Sequence, residues 1–327
     1  MVEELIAKLR SDDDYHRRIS AAQALGKAGD TAAVEALREA LWDRDPDVRL
    51  SAGLALIKIG DPRAFDALYE ATRTELYGLD CPASRRPLNS YWNVERASWV
   101  RLSAFEAIAV AGLCDARAVD ALCGALSDDS WQVVDRAVKT LSSFGDARAV
   151  EPLCKLLKIG GRAVKGAAKA LHNIRDPRAV EPLCQLIEDG DSNMRATAIR
   201  ALSGFHDPRE TEPLCKALTD KSAEVRSLAS EVLGLGGMSG ARVIKPLCKA
   251  FVEEKEDYLF PVRDRILRSL AQFGRPAVQS LVEALREAEE QVRRDAVADL
   301  RKHSKGDAAV GVGGFADQVL LDAVDFI

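Results

Sequence analysis

The sequence predicts an all-α protein, a solenoid of about nine two-helix repeats. Three observations support this fold class. A phrase of the type DPRAVEPLCQL, which begins at Asp176, returns along the chain at intervals of roughly 31 residues where no insertion intervenes. Apolar residues make up 47% of the chain and aromatic residues only 6%, a balance typical of packed helices. Within each phrase the apolar residues are spaced as on one face of a helix.

The first helix of each repeat is predicted to begin at an aspartate. Its carboxylate can accept hydrogen bonds from free backbone N–H groups, and a proline such as Pro177 often follows at the first helical position, where a missing N–H does no harm. The apolar face then includes Val180, Leu183 and Cys184. The nine repeats are expected to begin near Met1, Asp30, Asp61, Asp115, Asp146, Asp176, Asp207, Gly240 and Gly274.

The second helix follows a short turn that contains Asp or Ser, as in VRLSAGLALIKIG from Val48. Small residues recur at one register of these helices, which lets neighbouring helices approach closely. Glycines stand where the second helix must stop, consistent with left-handed backbone, at Gly60, Gly145 and Gly237. Because one helical hairpin cannot bury its own apolar face, each repeat is expected to cover the next.

Two segments depart from the repeat. An insertion of about 21 residues lies within 72–98, in the third repeat, and long insertions in repeat arrays usually lie on a binding face. The tail GDAAVGVGGFADQVLLDAVDFI combines a glycine-containing linker with an apolar helical pattern. We expect a solenoid over residues 1–306 and a capping helix within 307–327. Docking of the tail on a groove of its own or of another copy is the alternative.

The repeat resembles HEAT repeats, and specifically the short HEAT-like repeats first associated with phycobilisome lyases. The phrase D-[PA]-R-A-V-E-P-L and the later V-R-x-x-A, as in Val225 to Ala229, carry the resemblance over residues from about 1 to 306. It implies a right-handed α-solenoid, an armadillo-like superhelix whose second helices line a concave face. Such repeats serve as binding frameworks for many partners, so the motif indicates a fold and not one function.

Five of the seven cysteines occupy one register on the apolar face of the first helix. Stacked helices lie about 8–10 Å apart, whereas a disulfide needs Cα atoms within about 4.4–6.8 Å and zinc needs its sulfurs around one ion. We therefore interpret these thiols as small core hydrophobes, and Cys81, in the insertion, as the candidate exposed thiol. The five are Cys123, Cys154, Cys184, Cys215 and Cys248.

The sequence lacks the motifs of an enzyme. The HEAT-repeat enzyme deoxyhypusine hydroxylase binds two irons through His-Glu pairs, but no histidine here is followed by glutamate. No P-loop and no CxxC occurs, and GVGG at Gly311 follows no predicted strand. We expect no cofactor, no metal and no catalytic residue.

Compartment and membrane association follow from composition. The opening MVEELIAKLR does not resemble a signal peptide, and no stretch approaches ~18 apolar residues. Cysteines without a paired framework suit a reducing compartment. We expect a cytoplasmic protein that does not bind membranes.

The second helices are predicted to present a basic surface. They carry a net positive charge although the chain as a whole is −5, and the most basic segment, Gly161 to Arg175, contains no acid. Such a surface attracts acidic protein, phosphorylated segments or nucleic acid; solvated faces with local ion pairs are the alternative. The candidate residues are Arg136, Lys139, Arg162, Lys165, Lys169, Arg195 and Arg200.

An aromatic edge is predicted in repeats 2 to 4. All four tryptophans lie between Trp42 and Trp131, and the repeat alignment places Trp99 and Trp131 at equivalent positions near the start of the second helix. Exposed Trp, Tyr and Arg often dominate interface energies. The candidates are Arg85, Arg86, Tyr91, Trp92, Trp99 and Trp131; alternatively, the insertion folds back and covers the third repeat.

Three functions are compatible with these patterns. The leading hypothesis is a non-enzymatic scaffold that binds a protein partner with an acidic surface through the basic face and the aromatic edge. The first alternative is a phycobilin lyase-like protein that holds a chromophore, with lyase-type activity left open. The second is a DNA-binding relative of HEAT-like glycosylases, which the negative net charge disfavours. The oligomeric state stays open.

Overall fold

The computed structural model describes residues 1–72, 90–112, 114–235, 240–254, 262–305 and 312–324, with only the backbone for 90–97, 241 and 305. Every regular element in these ranges is helical. The protein is an all-α solenoid of two-helix repeats, and this prediction from the sequence is confirmed. The chain divides into two compact units, unit 1 over Met1–Ile174 and unit 2 over Arg175–Ile327.

The described part of unit 1 contains five helical hairpins, called repeats 1 to 5. In each, a first helix (helix A) packs on a second helix (helix B), and the B helices of successive repeats pack side by side. In chain order they are α1 (Val2–Ser11), α2 (Tyr15–Ala28), α3 (Val34–Ala40), α4 (Pro46–Ile59), α5 (Pro62–Thr72), α6 (Ser90–Ala111), α7 (Ala116–Gly124), α8 (Trp131–Phe144), α9 (Val150–Ile159) and α10 (Val164–Ile174).

The described part of unit 2 contains four hairpins, repeats 6 to 9, and a final helix. That final helix packs on the two helices of repeat 9 and buries Phe315, Ala316 and Val319. The helices are α11 (Val180–Asp189), α12 (Ser192–Leu202), α13 (Thr211–Ala217), α14 (Ala223–Gly234), α15 (Gly240–Glu253), α16 (Val262–Gln272), α17 (Arg275–Glu287), α18 (Glu290–Lys305) and α19 (Val312–Asp322).

In four of the repeats the aspartate caps a 3-10 turn and not the α-helix that the sequence predicted. Asp176, for example, accepts a hydrogen bond from the Arg178 N–H and begins a 3-10 turn, Pro177–Ala179, and the α-helix follows. Pro182, three residues into that α-helix, cannot donate to the carbonyl four residues before it, which lies in the 3-10 turn. The other three aspartates with such a turn are Asp30, Asp146 and Asp207.

Helix B ends in left-handed backbone. Gly60 has φ 69° and Gly145 has φ 68°, and each donates a hydrogen bond to the carbonyl four residues before it. Two repeats place a larger residue at this position, Arg175 and His206, both with φ 56°. The third glycine named from the sequence, Gly237, lies outside the described residues.

An arginine 11 residues before the left-handed position connects successive repeats. Arg18, which precedes Gly29, donates two hydrogen bonds of 2.8 Å to Asp43 of the next repeat, and its Nη1 donates to the carbonyls of its own turn. We call these residues the arginine ladder. They are Arg18, Arg49, Arg101, Arg195, Arg226 and Arg263; Val134 and Val164 stand at this position in repeats 4 and 5.

The cysteine register of helix A contacts the start of the next repeat. The Cys184 Sγ lies 3.9 Å from the Arg209 carbonyl oxygen, and the Cys248 Sγ lies 3.9 Å from the Ala277 carbonyl oxygen. Burial raises the pKa of both thiols to about 12, which keeps them protonated near neutral pH. None of the six described cysteines forms a disulfide; Cys81 lies outside the described residues.

Candidate partner-binding surface

The solvent-facing side of the B helices in unit 1, here called the B face, changes character along the chain. Its side chains stand one, five and eight residues after the arginine-ladder position. In repeats 2 and 3 these positions hold mostly aliphatic residues, including Leu50, Leu54 and Leu102. In repeats 4 and 5 the first two of them hold Asp135, Lys139, Lys165 and Lys169.

Helix α10 presents two lysines on one face. Its buried side carries Val164, Ala167 and Leu171, which fixes the opposite side towards solvent. Lys165 and Lys169 are exposed and stand four residues apart, so both ammonium groups lie on the same face. The helix contains no acidic residue, and among the described residues neither lysine forms an ion pair. The pair therefore leaves two positive charges uncompensated.

An exposed tryptophan extends this basic surface. Trp131, the first residue of α8, is 55% exposed. The Arg162 guanidinium lies over its ring, 5.8 Å from the centroid, in a cation–π contact between repeats 4 and 5. Arg162 comes two residues before α10. We call Trp131, Arg162, Lys165 and Lys169 the α10 cluster.

The two other basic candidates in unit 1 have acidic partners. The Lys139 Nζ lies 2.6 Å from the Asp135 carboxylate on the same helix. The Arg136 Nη2 lies 3.6 Å from the Glu106 carboxylate of the preceding repeat. These charges are balanced locally, which weakens their attraction for an external anion.

The two basic candidates of unit 2 also have partners. Arg195 is a member of the arginine ladder, and its guanidinium donates two hydrogen bonds to Asp220 of the next repeat and one to the Gly190 carbonyl. Arg200 lies 2.6 Å from the Glu224 carboxylate. Because the Arg195 guanidinium joins two repeats, we leave that residue out of the surface proposed below.

Trp99 is exposed, but it does not occupy the position predicted for it. Helix α6 begins at Ser90, so the end of the insertion is helical and Trp99 lies well inside the helix. Trp99 stands two residues before the ladder residue Arg101, whereas Trp131 stands three residues before Val134. The predicted equivalence of the two tryptophans is therefore wrong by one residue, because the alignment treated Trp99 as part of the first turn. The Trp99 ring, 43% exposed, faces Arg49 at 6.0 Å.

The rest of the predicted aromatic edge cannot be placed among these residues. Arg85 and Arg86 lie outside the described residues. Tyr91 and Trp92 belong to α6, and their side chains lie outside the described part.

The described residues contain no group of three or more His, Cys, Asp or Glu side chains that could hold a metal ion. No helix in these same ranges is long and apolar enough to span a membrane. The chemistry that this surface offers is electrostatic attraction and apolar contact.

Comparison with protein families identifies the repeat. The family profile described as HEAT repeats matches residues 2–79, 95–166, 161–234 and 211–301. The chain belongs to the HEAT repeat family. In this HEAT-repeat chain the matches fall on both units, and they include every residue of the α10 cluster. The protein is accordingly a HEAT-repeat helical scaffold.

Two solved structures of Kap121p share this fold. A triple mutant of Kap121p superimposes with a TM-score of 0.60 and 13% identity, over 100% of this HEAT-repeat chain and 38% of the other chain. Kap121p itself superimposes with a TM-score of 0.56 and 12% identity, over 99% of this chain and 38% of the Kap121p chain. The chain thus spans less than two fifths of the length of these relatives. A chain in the complex of CpcE and CpcF of phycocyanin lyase from Nostoc sp. PCC7120 is 21% identical. The match covers 98% of this chain and 95% of the other, with a TM-score of 0.34. A search of curated proteins gave no match.

Proposed function

We propose that this HEAT-repeat chain is a non-enzymatic scaffold that binds an acidic segment of a protein partner at the α10 cluster. One observation carries the proposal: Lys165 and Lys169 are exposed on one helix face and have no acidic partner among the described residues. Uncompensated cations of this kind attract carboxylates and select against basic partners.

The contrast with the other basic side chains of the B helices strengthens this assignment. Lys139, Arg136 and Arg200 each have a carboxylate within 4 Å. An incoming acidic segment would have to displace those partners, whereas at α10 it meets no competitor on the same helix. The α10 cluster is therefore the part of the surface with the greatest gain from binding an anion.

Trp131 adds an apolar contact beside the charges. Its ring is more than half exposed and is already oriented by Arg162. Tryptophan and arginine side chains often supply most of the binding energy at protein interfaces. A peptide whose carboxylates bind the lysines can thus bury its backbone or an apolar side chain against Trp131.

A protein partner fits this surface better than nucleic acid does. The α10 cluster offers only three cations, Arg162, Lys165 and Lys169, and the chain has a net charge of −5. Nucleic-acid binding depends on cations spaced along a path of phosphates and on a favourable overall field. A short acidic segment needs only the few contacts that the α10 cluster provides.

Charge reversal tests the proposal directly. The probe is a fluorescein-labelled 12-residue polyglutamate peptide, and its anisotropy is measured with the full chain at low salt. We expect the double variant K165E/K169E to lose at least about tenfold in affinity, because two attractive contacts become repulsive. The matched control, K27E/K58E, changes the net charge equally at two exposed lysines of α2 and α4 and should change the affinity by less than about threefold.

Two results would contradict the proposal. Equal losses in both double variants would show that the peptide senses only the total charge of the protein. Tighter binding of a polylysine peptide than of polyglutamate to the unmodified chain would show that the acidic surface, and not the α10 cluster, selects the partner.

A further inference from the structure

A stripe of aliphatic side chains lies on the B face of repeats 2 and 3. Leu50, Leu54 and Ile57 of α4 are spaced as i, i+4 and i+7, so they share one helix face, and all three are partly exposed. Leu102 of α6 stands at the same register as Leu50 and is also partly exposed. Trp99, three residues before Leu102, adds an exposed aromatic ring on that side of α6. We call these five residues the aliphatic stripe.

The fold does not require apolar residues at these positions. The register of Leu54 holds Lys139, Lys169 and Arg200 in later repeats, and all of these are exposed. A charged or polar side chain is therefore compatible with helix B at this point. Single exposed apolar residues need no explanation, but several partly exposed apolar residues on two neighbouring helices, at positions that tolerate charge, indicate an interaction site.

We propose that the aliphatic stripe binds an apolar anchor carried by the same acidic segment that binds the α10 cluster. This inference rests on the proposed function, because the α10 cluster defines the acidic half of the partner. The positive charge of Lys165 and Lys169 selects an acidic partner. The stripe lies in the same unit and on the same layer of B helices as these lysines, so one segment of that partner can contact both. The partner segment is thus bipartite, with leucine- or phenylalanine-type residues at one end and carboxylates at the other.

The spacing of the helices gives the length of that segment. Two steps between neighbouring B helices separate α6 from α10, through α8. Packed helices lie about 8–10 Å apart, so α6, which carries the part of the stripe nearer to α10, lies about 16–20 Å from α10. Helix α4, with Leu50, Leu54 and Ile57, lies one step further. An extended chain covers about 3.3 Å per residue. Five or six residues therefore separate the apolar anchor from the first carboxylate that reaches α10.

Two labelled peptides test this inference with the full chain. The first carries six glutamates and a Gly-Ser remainder. The second has the same glutamates and, six residues away, the sequence Leu-Phe-Leu. We expect the second peptide to bind at least about tenfold more tightly, because its anchor buries apolar surface on the stripe.

Substitution of the stripe separates the two halves of the site. In L54Q/L102Q the advantage of the second peptide should fall below about twofold, while the affinity for the first peptide stays unchanged. The control L235Q removes an exposed leucine from unit 2 and should keep the full advantage. If L54Q/L102Q folds poorly, as judged by its thermal unfolding, W99A alone replaces it and should reduce the same advantage.

Photocrosslinking gives a second readout that does not depend on affinity. Benzoylphenylalanine placed at position 102 should crosslink to the Leu-Phe-Leu end of the peptide. Placed at position 173, which is exposed and one turn after Lys169 on α10, it should crosslink to the glutamate end. The reverse pattern, or equal crosslinking of both ends at both positions, would overturn the inference.

The remaining outcomes distinguish this inference from the proposed function. If both peptides bind with equal affinity, the acidic site stands and the apolar anchor is wrong. If neither peptide binds, both proposals fail. If the advantage appears only after deletion of residues 73–89, the chain's own insertion occupies the stripe, and if it falls as a dimer forms, a second copy does; either result overturns the partner assigned here.

Discussion

Arg195 and Asp220 join repeat 6 to repeat 7 through two parallel hydrogen bonds. The Arg195 Nε and Nη2 lie 2.7 and 2.8 Å from the two carboxylate oxygens. Burial by itself raises the pKa of Asp220, but the Arg195 guanidinium and the Ser222 N–H outweigh it and hold that pKa below its usual value. The side chain of Arg195 is 20% exposed, so the pair is only partly screened by water.

Removal of Arg195 should therefore weaken the contact between repeats. We expect R195A to lower the free energy of unfolding by about 2 kcal/mol, because the partly buried Asp220 carboxylate loses its main partner. Urea unfolding at pH 7 measures the effect. The pair stabilises the fold above the unfolded pKa of Asp220, and its contribution is lost as the pH falls through the lowered folded pKa.

R178A is the matched control for this prediction. Arg178 pairs with the cap residue Asp176 of its own repeat and is 60% exposed, and exposed ion pairs contribute little to stability. A loss of stability in R178A as large as that in R195A would contradict the structural role assigned to the arginine ladder.

The buried carboxyl group of Glu210 lowers the stability of the fold near neutral pH. Its residue is fully buried, its Oε1 accepts the Asp207 N–H, and its Oε2 has no hydrogen-bond partner in the described residues. Burial raises its pKa from 4.5 to about 7. The folded protein therefore binds this proton more tightly than the unfolded chain, so stability falls as the pH rises from 4.5 to about 7.

The substitution E210A tests this pH dependence. Alanine occupies the same position in other repeats, as at Ala149 and Ala179, so the site can accommodate it. Between pH 4.5 and pH 8 we expect the unfolding free energy of E210A to rise relative to the unmodified protein by about 3 kcal/mol. The loss of one hydrogen bond is independent of pH and shifts both ends of the curve equally. A constant difference across that range would contradict the raised pKa.

The residue with left-handed backbone at the end of helix B also affects the stability of the fold. His206 has φ 56°, whereas Gly145, at the same position in repeat 4, has φ 68°. We expect H206G to raise the free energy of unfolding by about 0.5–1 kcal/mol, because the relief of backbone strain exceeds the greater entropy of glycine in the unfolded chain. Thermal unfolding measures the change.

The reverse substitution, G145A, checks the cause. A Cβ at Gly145 would meet no atom within 4 Å, so any loss of stability comes from the backbone conformation alone. We expect a loss of about 1 kcal/mol. Unchanged stability in both variants would show that the left-handed position does not limit the fold.

Much of this fold follows from the sequence for a physical reason. The apolar spacing and the capping aspartate belong to each repeat and recur at intervals of about 31 residues, so the sequence shows them several times. The alternation of helices A and B and the Gly60 and Gly145 ends were both predictable. The helical end of the insertion, from Ser90 to Ser98, was not, because it occurs once and has no counterpart in another repeat.

The candidate site was harder to predict because charge alone does not reveal pairing. Lys169 and Arg195 both appeared as basic residues of helix B, yet only Arg195 has a carboxylate at hydrogen-bond distance. One signal was available: Arg195 stands 11 residues before His206, as Arg18 stands before Gly29. That constant distance marks the arginine ladder and separates structural arginines from the exposed lysines of α10.

Trp131 should contribute to the acidic site and Trp99 should not. The Trp131 ring contacts Arg162 beside α10, whereas the Trp99 ring contacts Arg49 of α4. We expect W131A to weaken polyglutamate binding by about three- to tenfold and W99A to leave it unchanged. Anisotropy titrations of the two variants provide the comparison, and equal effects would place the acidic peptide elsewhere on the B face.

Lysine footprinting shows where on the chain an acidic peptide binds. The full chain is acetylated with a limiting amount of an N-hydroxysuccinimide ester, with and without saturating polyglutamate, and each lysine is quantified by mass spectrometry. We expect the peptide to protect Lys165 and Lys169 and to leave Lys27, Lys58 and Lys245 unchanged. Uniform protection of all exposed lysines, or protection confined to residues outside α10, would contradict it.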